Sequence, residues 1–192
     1  MTTLPYAQIR AHYDDATIRV YQAYSRPIAD AALRAGTFVS PFKMERMTWI
    51  KPSFLWMMYR AGWGLKDEGQ ARILAIDITH DGFAWALAHS CPSHPADGMS
   101  ADAWAAQKAA SPVRIQWDPE RDLHLNPLDH RAIQIGLGGA AVPLYVNQWI
   151  ARISDVTGLA HDIHALVQAG QLDDARARLP VERPYAPRGE GG

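Results

Sequence analysis

Arg46, Lys51 and Arg60 fall within nineteen residues, RMTWIKPSFLWMMYRAGWG (46–64), that also hold three of the seven tryptophans and three of the six methionines. Cations beside flat rings are the residue types that hold a phosphate and stack a base. Lys51-Pro52 marks a turn, and a Pro-Ser start to the next helix leaves backbone N–H groups at a positive helix end, where an anion is stabilised. Arg46, Trp49, Lys51 and Ser53 are therefore candidate substrate-binding residues, with Trp56 and Tyr59 beside them. The plainer alternative puts Trp49, Phe54 and Met57 in the core and lets Arg46 and Lys51 snorkel to water.

Two further stretches carry groups that can do chemistry. In VYQAY, strand alternation sends Tyr21 to one face with Arg19, and Gln22 to the other with Tyr24. In QWDPERDLHLNPLDHRAIQIGLGG, DPER reads as a turn carrying Asp118 and Glu120 at a strand end, where rigid scaffolds often present active-site residues. Arg131 and Gln134, three apart, fall on opposite faces of the following strand. A hairpin with an Asp-Pro turn and a surface ion pair explains the same residues without function.

Other chemistries find less. Of the eight histidines, His161 and His164 are spaced i, i+3 on a late helix, and His89 and His94 flank Cys91 on a loop. Neither group has the ligand spacing of a zinc site, so no metal is expected. No GxSxG elbow is present, and Cys91 has no paired base in view. GLGG (136–139) follows a strand without the lysine of a phosphate loop, which favours a tight turn.

Composition bounds the class. The chain has 192 residues, a net charge of −1 and one cysteine. No global field recruits nucleic acid or a membrane, although a local basic cleft is compatible with that total. One cysteine forms no internal disulfide, which with the absence of a signal-like start predicts a cytoplasmic protein. The longest apolar run, FLWMMY, is too short to span a bilayer.

These residues need elements to position them. TIRVYQAY (17–24) is a strand by its β-branched and aromatic content. It runs into a helix capped by Ser25 or Arg26, with Pro27 in its first turn and Gly36 past its end. Pro52 and Ser53 open a second helix that Gly62 stops. ARILAIDIT (71–79), almost wholly apolar, predicts a central strand. DGFAWALAH and SADAWAAQKAA predict helices on either side of a loop at 89–100, and 113–119 and 131–137 predict strands. PLYVNQWIARISDVT, LAHDIHALVQAG and LDDARARL predict a helical C-terminal third. The expectation is α+β: one compact domain over 1–179 with a small, mostly antiparallel sheet flanked by helices, then a flexible Pro/Gly-rich tail at 180–192.

The blocks IRAHYDDATIRVYQAYSRPIADAAL, FKMERMTWIKPSFLWMMYRAGWG, VRIQWDPERDL and HRAIQIGLGG resemble the signature blocks of domain-of-unknown-function family 4291, over about residues 5–170. The layout strand, helix, Gly and next strand is also similar to the opening of ADP-ribosyltransferase-like domains. That second resemblance implies NAD as substrate, with Arg19, Tyr21 or Gln22 near the dinucleotide. It also implies Gln134 or Glu120 as the polar catalytic group that steadies the ribose while the glycosidic bond opens. The sequence lacks that family's Ser-Thr-Ser triplet, its His after the first tyrosine, and a plain Glu-x-Glu.

Two functional expectations result. One is an enzyme acting on a nucleotide-type substrate, with Gln134, Glu120 and Arg19 as catalytic candidates and Tyr21, Gln22, Tyr24, Arg46, Trp49, Lys51, Ser53 and Arg131 as binding candidates. The other is a non-catalytic module that binds single-stranded RNA or DNA through the same cation–aromatic face. Near-neutral charge weighs against the second.

Overall fold

A computed structural model describes residues 4–187. The chain is α+β, and two sheets carry it. The first has three antiparallel strands in the order β2 (Thr17–Tyr24), β4 (Arg72–Thr79), β8 (Ile150–Asp155). The second has four in the order β3 (Thr48–Ile50), β7 (Pro127–Leu137), β6 (Val113–Arg121), β5 (Ser90–Pro92), with only β5 and β6 parallel. The two meet where the Tyr21 N–H donates to the Lys51 carbonyl across 2.8 Å. That bond sets the first strand against the Arg46–Ser53 segment.

β4 is central, as its apolar run predicts, and it is buried on both faces. Its register opposite β2 sorts the side chains. Ile18, Val20 and Gln22 share a face with Ile78, Ile76 and Leu74, whereas Arg19 and Tyr21 lie opposite Asp77 and Ala75 on the other. The first face joins the larger core with Phe83, Val113, Ile135, Val142 and Tyr145. The second joins a smaller core with Phe54, Met57, Met58, Trp63 and Ile163. Each fully buried side chain of this size contributes about 2 kcal/mol over its exposed state.

The helices begin and end where the sequence marks them. α1 (Arg26–Ala35) has Pro in its first turn and stops at Gly36, whose φ of 74° is left-handed. α2 (Phe54–Ala61) opens with the Ser53 hydroxyl accepting the Trp56 N–H, and Gly62 closes it at φ 54°. α3 (His80–Ala88) and α4 (Ala101–Ala110) follow, each capped by a hydroxyl, from Thr79 and Ser100. α5 (Ala141–Leu144), α6 (Thr157–Gln168) and α7 (Leu172–Arg178) make up the C-terminal helices. No helix among the described residues is long and apolar enough to cross a membrane.

Three segments differ from the sequence expectation. PLYVNQWIARISDVT is not one helix: α5 widens into a π-helical turn at Tyr145–Trp149, and β8 begins at Ile150. The edge of β4 decides this, because Ile150 and Ile153 pair with Ile78 and Ile76. Tertiary pairing overrides a helical periodicity. DPER is not a turn either. It continues β6 through an irregularity between Pro119 and Arg121, and the hairpin turns at Asp122 instead, whose carboxylate takes the His124 and Asn126 N–H groups. Third, the first part of the expected tail is docked. β9 (Arg183–Pro184) pairs with β1 (Arg10–Ala11), and Tyr185 packs on His80, Phe83 and Tyr13. Residues 188–192 of that segment lie outside the described residues.

Candidate functional site

A cavity of about 440 Å³ opens where the two sheets meet. β2 supplies Gln22 and Tyr24, and β3 supplies Thr48 and Trp49. Lys51 follows directly, α2 adds Met57 and Arg60, and the loop before β3 brings Lys43 and Arg46. Gln116 and Gln134, directly opposite each other on β6 and β7, form the far wall.

The floor is a set of hydrogen bonds among buried polar groups. The Gln22 amide donates to the Thr48 hydroxyl (2.5 Å), to the Tyr24 hydroxyl (3.1 Å) and to the Trp49 carbonyl (3.1 Å). Its own oxygen accepts from the Tyr145 hydroxyl at 2.7 Å. With Tyr24 and Thr48 also bonded (2.8 Å), the network holds Gln22 in one orientation. Burial pushes the Tyr24 hydroxyl up to about 12, so it stays protonated at neutral pH.

Electrostatics give the cavity a sign. Lys43, Arg46, Lys51 and Arg60 line it, and no Asp or Glu does among the described residues. Asp118 is bonded by the glutamines of the wall: Gln116 donates to one oxygen (2.9 Å) and Gln134 to the other (2.6 Å). Lys51 is the unusual member. It is 6% exposed, its Nζ donates to the Trp49 carbonyl (3.0 Å), and it lies 5.6 Å from the centre of the Trp56 ring. Burial, reinforced by Arg60 and opposed by Asp118, lowers it from the usual 10.5 to about 7.

On the other side of Pro52 the same turn is closed. The Ser53 hydroxyl donates to Glu120 at 2.8 Å, and the Phe54 N–H donates to Glu182 at 2.7 Å. The Phe54 and Trp56 N–H groups of the helix start are therefore already taken, by Glu182 and by the Ser53 hydroxyl. The Glu182 side chain of the C-terminal segment already occupies the place an anion would take. Burial, with Glu120 nearby, raises Glu182 to about 8 despite the Phe54 N–H.

The sequence candidates thus divide. Gln22, Tyr24, Arg46, Trp49, Lys51 and Gln134 line one cavity. Arg19 lies on the opposite face of β2, where it and Arg152 grip Asp77. Tyr21 shares that face and packs edge-on against Phe54. Ser53 and Glu120 belong to the closed cluster, and Arg131 reaches Tyr6. Arg19, Glu120 and Gln134 have separate partners, in Asp77, Ser53 and Asp118.

Lys43, Thr48, Arg60 and Gln116 line the cavity without having been singled out as site residues. Arg60 was visible as the third cation of its segment, and Gln116 follows from Gln134 once the hairpin register is known. Nothing local marks Lys43 or Thr48. Elsewhere, His164 stacks on Trp63 and His89 on Trp85, and Cys91 is buried in β5.

Comparison with known proteins adds the family. Among curated proteins nothing matches the chain. The profile described as "Domain of unknown function (DUF4291)" matches residues 8–185, which takes in both sheets, every wall of the cavity and the docked segment. The chain belongs to that family.

Proposed function

We propose that the chain is an enzyme acting on a nucleotide-type small molecule held in the cavity between the sheets. One observation carries the reading: three exposed cations and one buried lysine surround a polar hollow that no carboxylate lines among the described residues. Such a surround favours an anion, and arginines at its edge suit a phosphate. Trp49 in the wall offers a flat face for a ring, and the volume falls in the roughly 300–1,000 Å³ range of small-molecule sites. NAD, ATP and GTP belong to the substrate class. An extended single strand fits less well, because the cations gather around one bounded hollow instead of tracking along a groove.

Thermal melting against NAD, ATP, GTP, inorganic phosphate and a single-stranded oligonucleotide tests binding. Chromatography of the incubated nucleotides tests turnover. A nucleotide at 100 times its dissociation constant raises native stability by about 2.7 kcal/mol, and the rise falls to about 0.4–1.4 kcal/mol in Arg46→Ala. A rise with no nucleotide consumed overturns the enzyme, and a rise only with the oligonucleotide, erased by salt, overturns the substrate class.

A further inference from the structure

We propose that Lys51 is the reacting amine of the cavity, forming an imine with the carbonyl carbon of a small phosphorylated compound. The proposal rests on the reading of the cavity as an anion site and adds to it the bond that is made there.

The geometry sets Lys51 apart from an ordinary surface lysine. A lysine stem is long enough to carry its charge to water, yet this residue is 6% exposed, lines the hollow, and turns its Nζ to the carbonyl of Trp49 in the same wall. An ammonium has three donors, and the described residues give Nζ one acceptor, the Trp49 carbonyl. Of the charged groups that act on it, Arg60 disfavours the ammonium and Asp118 favours it. Arg60 on α2 repels an ammonium, and Lys43 and Arg46 on the loop line the same hollow. Asp118 on β6 is held by the two glutamine amides. A neutral amine suits this place: it donates once to Trp49 and keeps a lone pair for attack. Burial among cations lowers the lysine to about 7, which agrees with that form.

The partner's chemistry follows from the surround. The lone pair of Nζ attacks the carbonyl carbon, and the π electrons move to oxygen, which takes up a proton. The resulting carbinolamine loses that oxygen as water while nitrogen gives up its protons and closes the C=N bond. An amine and a carbonyl become an imine and water, with no oxidant or reductant required. The phosphate of the partner lies against Arg46 and Arg60, so the reactive class is an aldehyde or ketone with a phosphate nearby. The open-chain form of a phosphorylated sugar is the member nearest to a nucleotide.

The test uses the full chain, which contains four lysines: Lys43, Lys51, Lys66 and Lys108. At pH 7 it is incubated with sodium cyanoborohydride and ribose 5-phosphate, pyridoxal 5′-phosphate or the uncharged aldehyde pentanal. Peptide mapping then reports each lysine. The expected result is labelling of Lys51 at least about tenfold faster than the others, since an amine near pH 7 is about half unprotonated and an ordinary one far less. Inorganic phosphate slows that labelling, and Arg46→Ala does too. Even labelling of all four lysines, or a spared Lys51, overturns the proposal. If Lys51 is spared while NAD or ATP still raises the melting midpoint, the amine fails and the anion site stands. If pentanal labels Lys51 as fast and phosphate does not compete, the phosphorylated partner is overturned.

Discussion

Two ionisable groups flank Pro52, and the fold treats them in opposite ways. Lys51, on one side, lines a hollow it shares with three cations, and its Nζ has one acceptor among the described residues. On the other, Phe54 meets Glu182, whose carboxylate is met in turn by packed protein, a backbone N–H and the Ser53–Glu120 pair. Both groups are shifted toward their uncharged forms, to about 7 and about 8. A perturbed pKa alone therefore does not mark a site. Space does. The acid takes the Phe54 N–H and so fastens the C-terminal segment to the start of α2. The base has about 440 Å³ in front of it.

The largest effect belongs to the closed side. Tyr185→Ala removes a ring packed between Tyr13, Phe83 and His80, and with it the hydrogen bond to the His80 ring. Chemical denaturation is expected to show a loss of about 3–5 kcal/mol, while the affinity of the surviving folded protein for a nucleotide stays within twofold. A variant that keeps its stability and loses its ligand would reverse the roles assigned to the two sides.

The pH dependence of stability separates the two groups next. Between 4.5 and about 8 the folded Glu182 holds a proton that the unfolded chain has lost, so its contribution to stability falls as pH rises through that window. Between about 7 and 10.5 the unfolded Lys51 holds a proton that the folded one has lost, so stability rises with pH there. Each slope approaches about 1.4 kcal/mol per pH unit at most. Glu182→Gln is expected to flatten the lower window alone, and Lys51→Met the upper window alone, when urea midpoints are compared across pH. Arg46→Ala and Arg60→Ala are each expected to weaken a nucleotide by about 10- to 100-fold in calorimetry, the loss of one charged hydrogen bond. Both arginines are exposed, so denaturation midpoints should shift by no more than about 0.5 kcal/mol.

The smallest effect is the most local. A Cβ on Gly136 would lie 2.9 Å from the Trp49 ring, so Gly136→Ala pushes that ring from its place in the cavity wall. Nucleotide affinity is expected to fall by about 1 kcal/mol, read as a fivefold change in Kd. This is what the GLGG sequence does for the site: its first glycine makes room for an aromatic wall.

Much of this layout could be read from residue order, and the rest could not for definite reasons. The alternation of VYQAY placed Gln22 and Tyr24 on one face and Arg19 and Tyr21 on the other, because a strand's period of two is fixed by its backbone. The caps of α1 and α2 followed from Pro27, Gly36, Ser53 and Gly62 for equally local reasons. The cavity was half legible. Its cations and Trp49 cluster in one segment, whereas Gln116 joins them only through hairpin register and Lys43 only through loop path. Glu182 was illegible, since its partner Phe54 lies 128 residues away and the flanking prolines imitate a loose tail. β8 was misread because its periodicity suits a helix until the exposed edge of β4 is available to pair with it.

The decisive measurement is the titration of the lysine side chains by carbon-13 NMR in wild-type protein carrying labelled lysine, with and without a saturating nucleotide. The account predicts that one of the four lysines, absent from the spectrum of Lys51→Met, titrates near 7 and moves upward when the anion binds beside it. Four lysines titrating together near 10.5, unmoved by any nucleotide, would contradict it.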